Sequence, residues 1–345
     1  MKVADRSSRT STRPRRWFWA ALIGVVSLGA WAASFPLGLW SHSDAWLLEH
    51  YRRPDSRFLT LDGARIHYVD SGSGPALVLI HGSNENLRAW DGVVQQLGTD
   101  VRVIRLDLPD YGLSSPVPSA RYATEDDVSR IDRLVQALGV SRFFIGGSSF
   151  GGIVAFTYAA VHAQKVEGLI LISSAGAANP NLAVLPHYGA VEKWVDQYYR
   201  PCYVIARDLR AAWGTLGVPP SDLVDEVCAM TNRSGRLAQQ RLRGAGAQRG
   251  RTPMNAGNPY LARVTAPTLI IWGEQNRALP PATTDVFRSL MTRTQPAVLL
   301  LPGVGHKPER EAPVAVADAV AKFIKTCDTG CDAMNVARNV GGSSP

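Results

Sequence analysis

The stretch Arg142-Phe143-Phe144-Ile145-Gly146-Gly147-Ser148-Ser149-Phe150-Gly151-Gly152-Ile153 decides how the rest of the chain is read. Apolar residues lead into a cluster of glycines and serines, and a helix-compatible run continues from Ile153 to Val161, so the pattern spells strand, sharp turn, helix. Within it stands G-x-S-x-G with Ser149 at its centre. Gly147 and Gly151 flank a residue whose backbone must take strained angles and pass close to its neighbours, which a Cβ at either place would obstruct. Such a turn lifts the Ser149 hydroxyl above the sheet and aims the next helix N-terminus at it, so that developing negative charge meets backbone N–H groups. Ser149 is therefore the candidate nucleophile. A glycine-rich loop without chemistry can carry the same five letters, so support must come from elsewhere.

Four other places supply it. Ala76-Leu77-Val78-Leu79-Ile80 runs into His81-Gly82-Ser83, and Val101 to Leu106 runs into Asp107-Leu108-Pro109-Asp110-Tyr111-Gly112-Leu113-Ser114. Downstream come Thr268-Leu269-Ile270-Ile271-Trp272-Gly273-Glu274 and then Leu301-Pro302-Gly303-Val304-Gly305-His306. In this combination and order the chain resembles the α/β-hydrolase superfamily, in its capped lipase/esterase-like branch, over roughly Arg57 to Lys325. The apolar runs alternate with helical stretches, which independently argues for a mostly parallel sheet covered on both faces.

The resemblance implies a serine hydrolase that cleaves an ester-like bond through an acyl-enzyme. His306 is the implied base, held in a Gly-rich loop after a strand. The backbone N–H groups of Ser83 and Phe150 are the implied oxyanion hole. Asn84 and Asn86 either add a donor there or cap the helix that begins near Leu87. Asp107, although a carboxylate, falls in a loop that is structural in the family. A serine nucleophile argues against the dehalogenases and epoxide hydrolases of the superfamily, which use Asp.

One position departs from the pattern. The family usually shows an Asp two residues after W-G-E, where this chain has Asn276. Asn276 can hold an imidazole through its carbonyl oxygen but brings no charge, and with the amide turned inward it selects the wrong tautomer. Three readings follow: a weakened enzyme using Ser149, His306 and Asn276; an enzyme recruiting Glu274; or a degenerate hydrolase acting as a small-molecule-binding module.

The chain falls into residues 1–43, a basic start and membrane or signal segment; 44–174 and 264–327, the two parts of an α/β core; 175–263, rich in Pro, Trp, Tyr and Arg and read as a helical cap; and 328–345, a tail without periodicity, expected to be disordered. Lys2, Arg6, Arg9, Arg13, Arg15 and Arg16 against Asp5 account for +5 of the net charge of +8, so the remainder gives no reason to invoke nucleic acid. Trp17 to Ser43 carries no formal charge and exceeds the ~20 residues a membrane helix needs. Its basic flank predicts a catalytic domain on the non-cytoplasmic side, with Trp17, Trp19 and Trp40 at the interfaces. The alternative is a signal peptide cleaved after Ala30-Trp31-Ala32, giving a secreted or periplasmic protein. Export would let the four cysteines pair, Cys202 with Cys228 and Cys327 with Cys331.

Phe58 to Val69 reads as a hairpin turning at Asp62-Gly63, with His67 on its solvent face. Thr124 to Leu138 reads as a helix signalled by Thr124 and Asp127. Trp194, Tyr198 and Tyr199 either line an aromatic substrate pocket or pack the cap. No metal, nucleotide or flavin motif is present, so the expected partner is a small molecule with an apolar acyl group and no cofactor. Nothing in the sequence sets the oligomeric state.

Overall fold

In the computed structural model, which describes residues 13–177, 189–237 and 258–328, the apolar runs form strands β1 (Arg57–Leu61), β2 (Ala64–Ser71), β3 (Ala76–Ile80), β4 (Arg102–Leu106), β5 (Phe143–Ser148), β6 (Val166–Ile172), β7 (Thr268–Gly273) and β8 (Ala297–Leu301). They join in one sheet ordered β1-β2-β4-β3-β5-β6-β7-β8, antiparallel at β1–β2 and β2–β4 and parallel from β4 to β8. The hairpin turns where expected, because Asp62 and Gly63 both take positive φ, 51° and 75°, as a two-residue turn matched to strand twist requires. From β3 the chain moves outward to β4 and then returns to the other side of β3 as β5. The carboxyl ends of β3 and β5 therefore border the crevice where ligands bind in open α/β sheets.

Helices cover both faces. Apolar residues of α4 (Thr124–Ala137) and α5 (Phe150–Val161) join one buried cluster, together with Phe287 of the later helix Thr283–Leu290. Val93 of α3 (Asp91–Leu97) and Phe323 of the last helix, Pro313–Asp328, join the other. The central strands are buried on both sides, which is why they read as unbroken apolar runs rather than alternating ones. Helix α4 starts differently from the sequence reading. Ala123 is its N-cap, and the Asp126 carboxylate accepts that residue's N–H at 3.2 Å, whereas Asp127 turns inward to meet Arg130 at 3.1 Å.

The N-terminal helix α1 (Arg13–Ser34) is unbroken, and its portion from Arg16 to Ser34 is long and apolar enough to cross a membrane. Its end is not free. Phe35 is 6% exposed and its ring lies 6.1 Å from each of Trp194 and Tyr199, so these two aromatics pack against the chain that leaves the helix. Ser43 to Arg57 contains α2 (Asp44–Tyr51), capped by the Ser43 hydroxyl, with Leu47 buried against Leu113 and Met230.

Between β6 and β7 the described residues carry α6 (Ala190–Val195), α7 (Cys202–Ala212) and α8 (Ser221–Thr231). The expected Cys202–Cys228 disulfide joins α7 to α8. Cys331 and the rest of the tail from residue 329 lie outside the described residues. His67 corrects the sequence reading: it is 2% exposed, with Nδ1 2.7 Å from Asp107 and Nε2 2.8 Å from Ser56. Alternation with apolar neighbours cannot distinguish a solvent-facing His from one facing a buried carboxylate.

Candidate active site

Ser149 sits between β5 and α5 with φ 50° and ψ −114°, a conformation rare for any residue but glycine. The surroundings enforce it. Its N–H donates to Ile172 O at 3.0 Å, and its carbonyl accepts from Gly152 N at 3.1 Å and Ala175 N at 3.0 Å. A Cβ on Gly147 would lie 2.1 Å from the Gly151 carbonyl oxygen, and one on Gly151 would lie 2.3 Å from that of Ile80. The glycines of the motif are thus demanded by close backbone approach.

His306 follows β8 and reaches the same corner, with Nε2 3.2 Å from Ser149 Oγ. Its loop is fastened by backbone and carboxylate. His306 N–H donates to Ala212 O at 2.7 Å, and Glu311 accepts from Gly305 N at 2.9 Å, Lys307 N at 3.1 Å and Gly214 N at 2.7 Å. The other face of the ring meets Asn276, 2% exposed in the loop after β7, with His306 Nδ1 3.2 Å from Asn276 Oδ1. Which way the Asn276 amide points follows from a neighbour. Leu279 N–H, a donor only, bonds Asn276 Oδ1 at 2.9 Å, while Nδ2 donates to Ser173 Oγ at 3.2 Å. The oxygen therefore faces His306 and accepts from Nδ1–H, which leaves the Nε2 lone pair directed at the serine hydroxyl. That is the tautomer a base toward Ser149 must have.

The electrostatics are unusual for such a base. Burial, aided by the neighbouring Lys307 ammonium and opposed by Glu85, pushes His306 down to about 3. The ring is neutral at ordinary pH, but its affinity for a proton is far below the near-neutral value that suits general-base catalysis. Glu274, the other sequence candidate for a supporting acid, has an exposed side chain, while Asn276 occupies the inward position.

The loop after β3 passes close to the nucleophile, since a Cβ on Gly82 would lie 3.2 Å from Ser149 Cβ. Ser83 follows directly, and Phe150 opens α5, so the two proposed oxyanion donors flank the serine from β3 and from the helix N-terminus. Asn86 has a structural job instead of a substrate-facing one: its Oδ1 caps the short turn Leu87–Trp90 by accepting Arg88 N at 2.8 Å. Asp107 is fully used as scaffold, accepting from Leu87 N at 2.7 Å, Leu113 N at 2.8 Å and the His67 ring.

Sequence reasoning missed Glu309. It is 1% exposed, accepts from the Ser148 hydroxyl at 2.9 Å, and is pushed up to about 7, by burial first. Its place three residues after His306, between Lys307 and Arg310, reads as one more surface charge. Among the described residues no group of His, Cys, Asp and Glu could hold a metal ion.

Comparisons with known proteins agree with this architecture. Residues 75–308 match the family model described as the alpha/beta hydrolase fold. Lipase 1 of Psychrobacter immobilis is 25% identical over 90% of this chain and 96% of its own length. Haloalkane dehalogenase 2 of Mycobacterium tuberculosis is 27% identical over 77% of this chain and 93% of its own. Among solved structures, a membrane phospholipase A described as a bacterial virulence factor superposes with a TM-score of 0.66 at 26% identity, covering 91% of this chain and all of that one. The chain belongs to the α/β-hydrolase fold family, in its lipase- and esterase-like part.

Proposed function

We propose that this hydrolase cleaves an ester-like bond by acyl transfer, with Ser149 as nucleophile, His306 as base and Asn276 as the residue that orients the imidazole. The observation that carries the reading is the run of contacts from Leu279 N–H to Asn276 Oδ1, to His306 Nδ1, and from Nε2 to Ser149 Oγ. In the first half-reaction His306 Nε2 takes the hydroxyl proton as Ser149 Oγ attacks the acyl carbonyl. The Ser83 and Phe150 amides stabilise the oxyanion, and the alcohol leaves with the proton returned by His306. Water then attacks the acyl-enzyme, giving up a proton to Nε2, and Ser149 is released with the free acid.

Asn276 orients but does not neutralise the imidazolium formed in each half-reaction. In serine proteases with a Ser-His-Asp triad the corresponding Asp-to-Asn change costs about 10⁴ in turnover, so a slow enzyme is expected here. The depressed proton affinity of His306 points the same way. The residues between β6 and β7, 175–263, are proposed as a helical cap over the site.

Lipase-like relatives and the apolar N-terminal helix support a lipid-like acyl substrate and attachment to a membrane through α1. The disulfide supports placement of the catalytic part in a non-cytoplasmic, oxidising compartment. Packing of Phe35 just beyond α1 onto Trp194 and Tyr199 fastens the chain that leaves the helix whether α1 is kept as an anchor or removed after Ala32.

The test is hydrolysis of p-nitrophenyl esters of several chain lengths by purified protein and by Ser149→Ala. Turnover lost in the variant is expected. Binding of such esters without turnover above the variant would replace the enzyme by a binding module.

A further inference from the structure

The loop that carries Ser83 is held from outside the core. Glu226 belongs to α8, in the insertion, and is only 5% exposed. Its Oε1 accepts from Asn86 Nδ2 at 2.8 Å and Arg310 Nη2 at 3.3 Å, and its Oε2 accepts from Arg88 Nε at 2.6 Å. Arg310, in the short helix after His306, also donates to Glu85 at 2.9 Å, and Lys307 pairs with the other Glu85 oxygen. Although burial opposes it, Arg310 and Lys307 hold the Glu85 carboxyl down at about 2. Two buried carboxylates and three cations thus tie together the segment bearing Ser83, the segment bearing His306, and the insertion.

Both ends of the Asn86 amide are committed, Oδ1 to the cap of its own turn and Nδ2 to Glu226. A shift of this loop relative to α8 would break the bonds that Asn86 Nδ2 and Arg88 Nε make to the buried Glu226 carboxylate and leave it short of partners, which is costly. Oxyanion donors act only when preorganised, and a misplacement of ~1 Å can cost about 10²-fold in rate. On the acyl-transfer reading above, we infer that Glu226 is a positioning residue: through Asn86 and Arg88 it fixes the Ser83 loop, and through Arg310 the helix behind His306. The oxyanion hole is complete only while α8 is docked.

The experiment uses the full chain in detergent, with Glu226→Ala, the milder Glu226→Gln, and Arg88→Met, which removes one contact at the more exposed edge. Active sites are counted by fluorophosphonate titration. For each protein kcat and KM are measured on one p-nitrophenyl ester, along with inhibition by an alkyl boronic acid, whose tetrahedral adduct on Ser149 places an oxygen where the oxyanion forms. For Glu226→Ala, kcat per titrated site and boronate affinity should fall together by about 10- to 100-fold, with KM changed less than about twofold. Glu226→Gln and Arg88→Met should show smaller losses with the same split. A purely structural role would lower the thermal midpoint and the active-site titre while leaving kcat per site and boronate affinity unchanged in every variant that folds, and that result overturns the inference. Absence of turnover and of boronate binding in the unaltered protein would instead remove the acyl-transfer reading, and this one with it.

Discussion

The corner at Ser149 and the corner at Asn276 belong to one site, yet they differ in how much freedom the fold leaves them. At Ser149 the backbone is fixed by three backbone hydrogen bonds and by glycines against which a Cβ would collide. Scarcely any other sequence would fit there. At Asn276 the fold demands only an oxygen that accepts from Leu279 N–H and from the His306 ring, and either a carboxylate or an amide supplies one. Geometry can therefore persist at the second corner after charge is gone. The difference teaches that positioning and electrostatic stabilisation, normally delivered by one Asp, are separable in this site.

The largest effect should come from breaking the first corner. Ser149→Ala should lower ester turnover by about 10³- to 10⁶-fold, since removal of a nucleophile leaves only binding and oxyanion stabilisation. Activity within about tenfold of the unaltered enzyme would mean that another group does the chemistry.

Restoring charge at the second corner should act in the opposite direction. Asn276→Asp is expected to raise kcat/KM by about 10-fold or more, up to the ~10⁴ of the reverse change in the serine-protease case. It should also move the pH profile. His306 must be neutral to act as base, so activity falls as pH drops through its pKa, now held at about 3. A neighbouring carboxylate favours imidazolium and raises that pKa, shifting the acidic limb of kcat/KM upward in pH. Unchanged rate with a shifted limb would show that charge was not the missing element.

Gly147→Ala tests whether the first corner is as tightly determined as its contacts imply. A Cβ 2.1 Å from a backbone oxygen must displace main chain, at a cost of about 1–3 kcal/mol. Thermal unfolding should register it, and an unchanged midpoint would contradict the close approach.

The smallest effect concerns Glu309 beneath Ser148. Its carboxyl keeps a proton up to about 7 in the folded state, above its ordinary value of 4.5, so the folded chain binds more protons than the unfolded one between those limits. Stability from this group is full below pH 4.5 and is lost as pH rises through 7. Glu309→Gln removes that loss, so its melting point relative to the unaltered protein should climb between pH 4 and pH 8, read by calorimetry; a pH-independent difference would refute the assignment.

How much of this was legible in the sequence depended on chain distance. The strands β3 and β5 to β7 were readable as apolar runs because burial on both faces removes polar alternation, and the candidate residues Ser149, Asn276 and His306, which the fold brings together, stand at fixed spacings after strands. The orientation of Asn276 was not, because it depends on the Leu279 amide. Nor was the burial of His67, whose carboxylate partner lies 40 residues on. Nothing in the sequence marks the carboxylates Glu85 and Glu226 as buried, since Arg310 lies 225 and 84 residues away from them. Long-range ion pairs leave no periodic trace along a chain.

The most direct measurement is peptide mapping after brief exposure to a fluorophosphonate, in the unaltered protein and in His306→Ala. A single adduct on the peptide containing Ser149, formed much more slowly without the imidazole, is the result expected of a serine activated by His306. An unlabelled Ser149, or a labelling rate indifferent to His306, would contradict it.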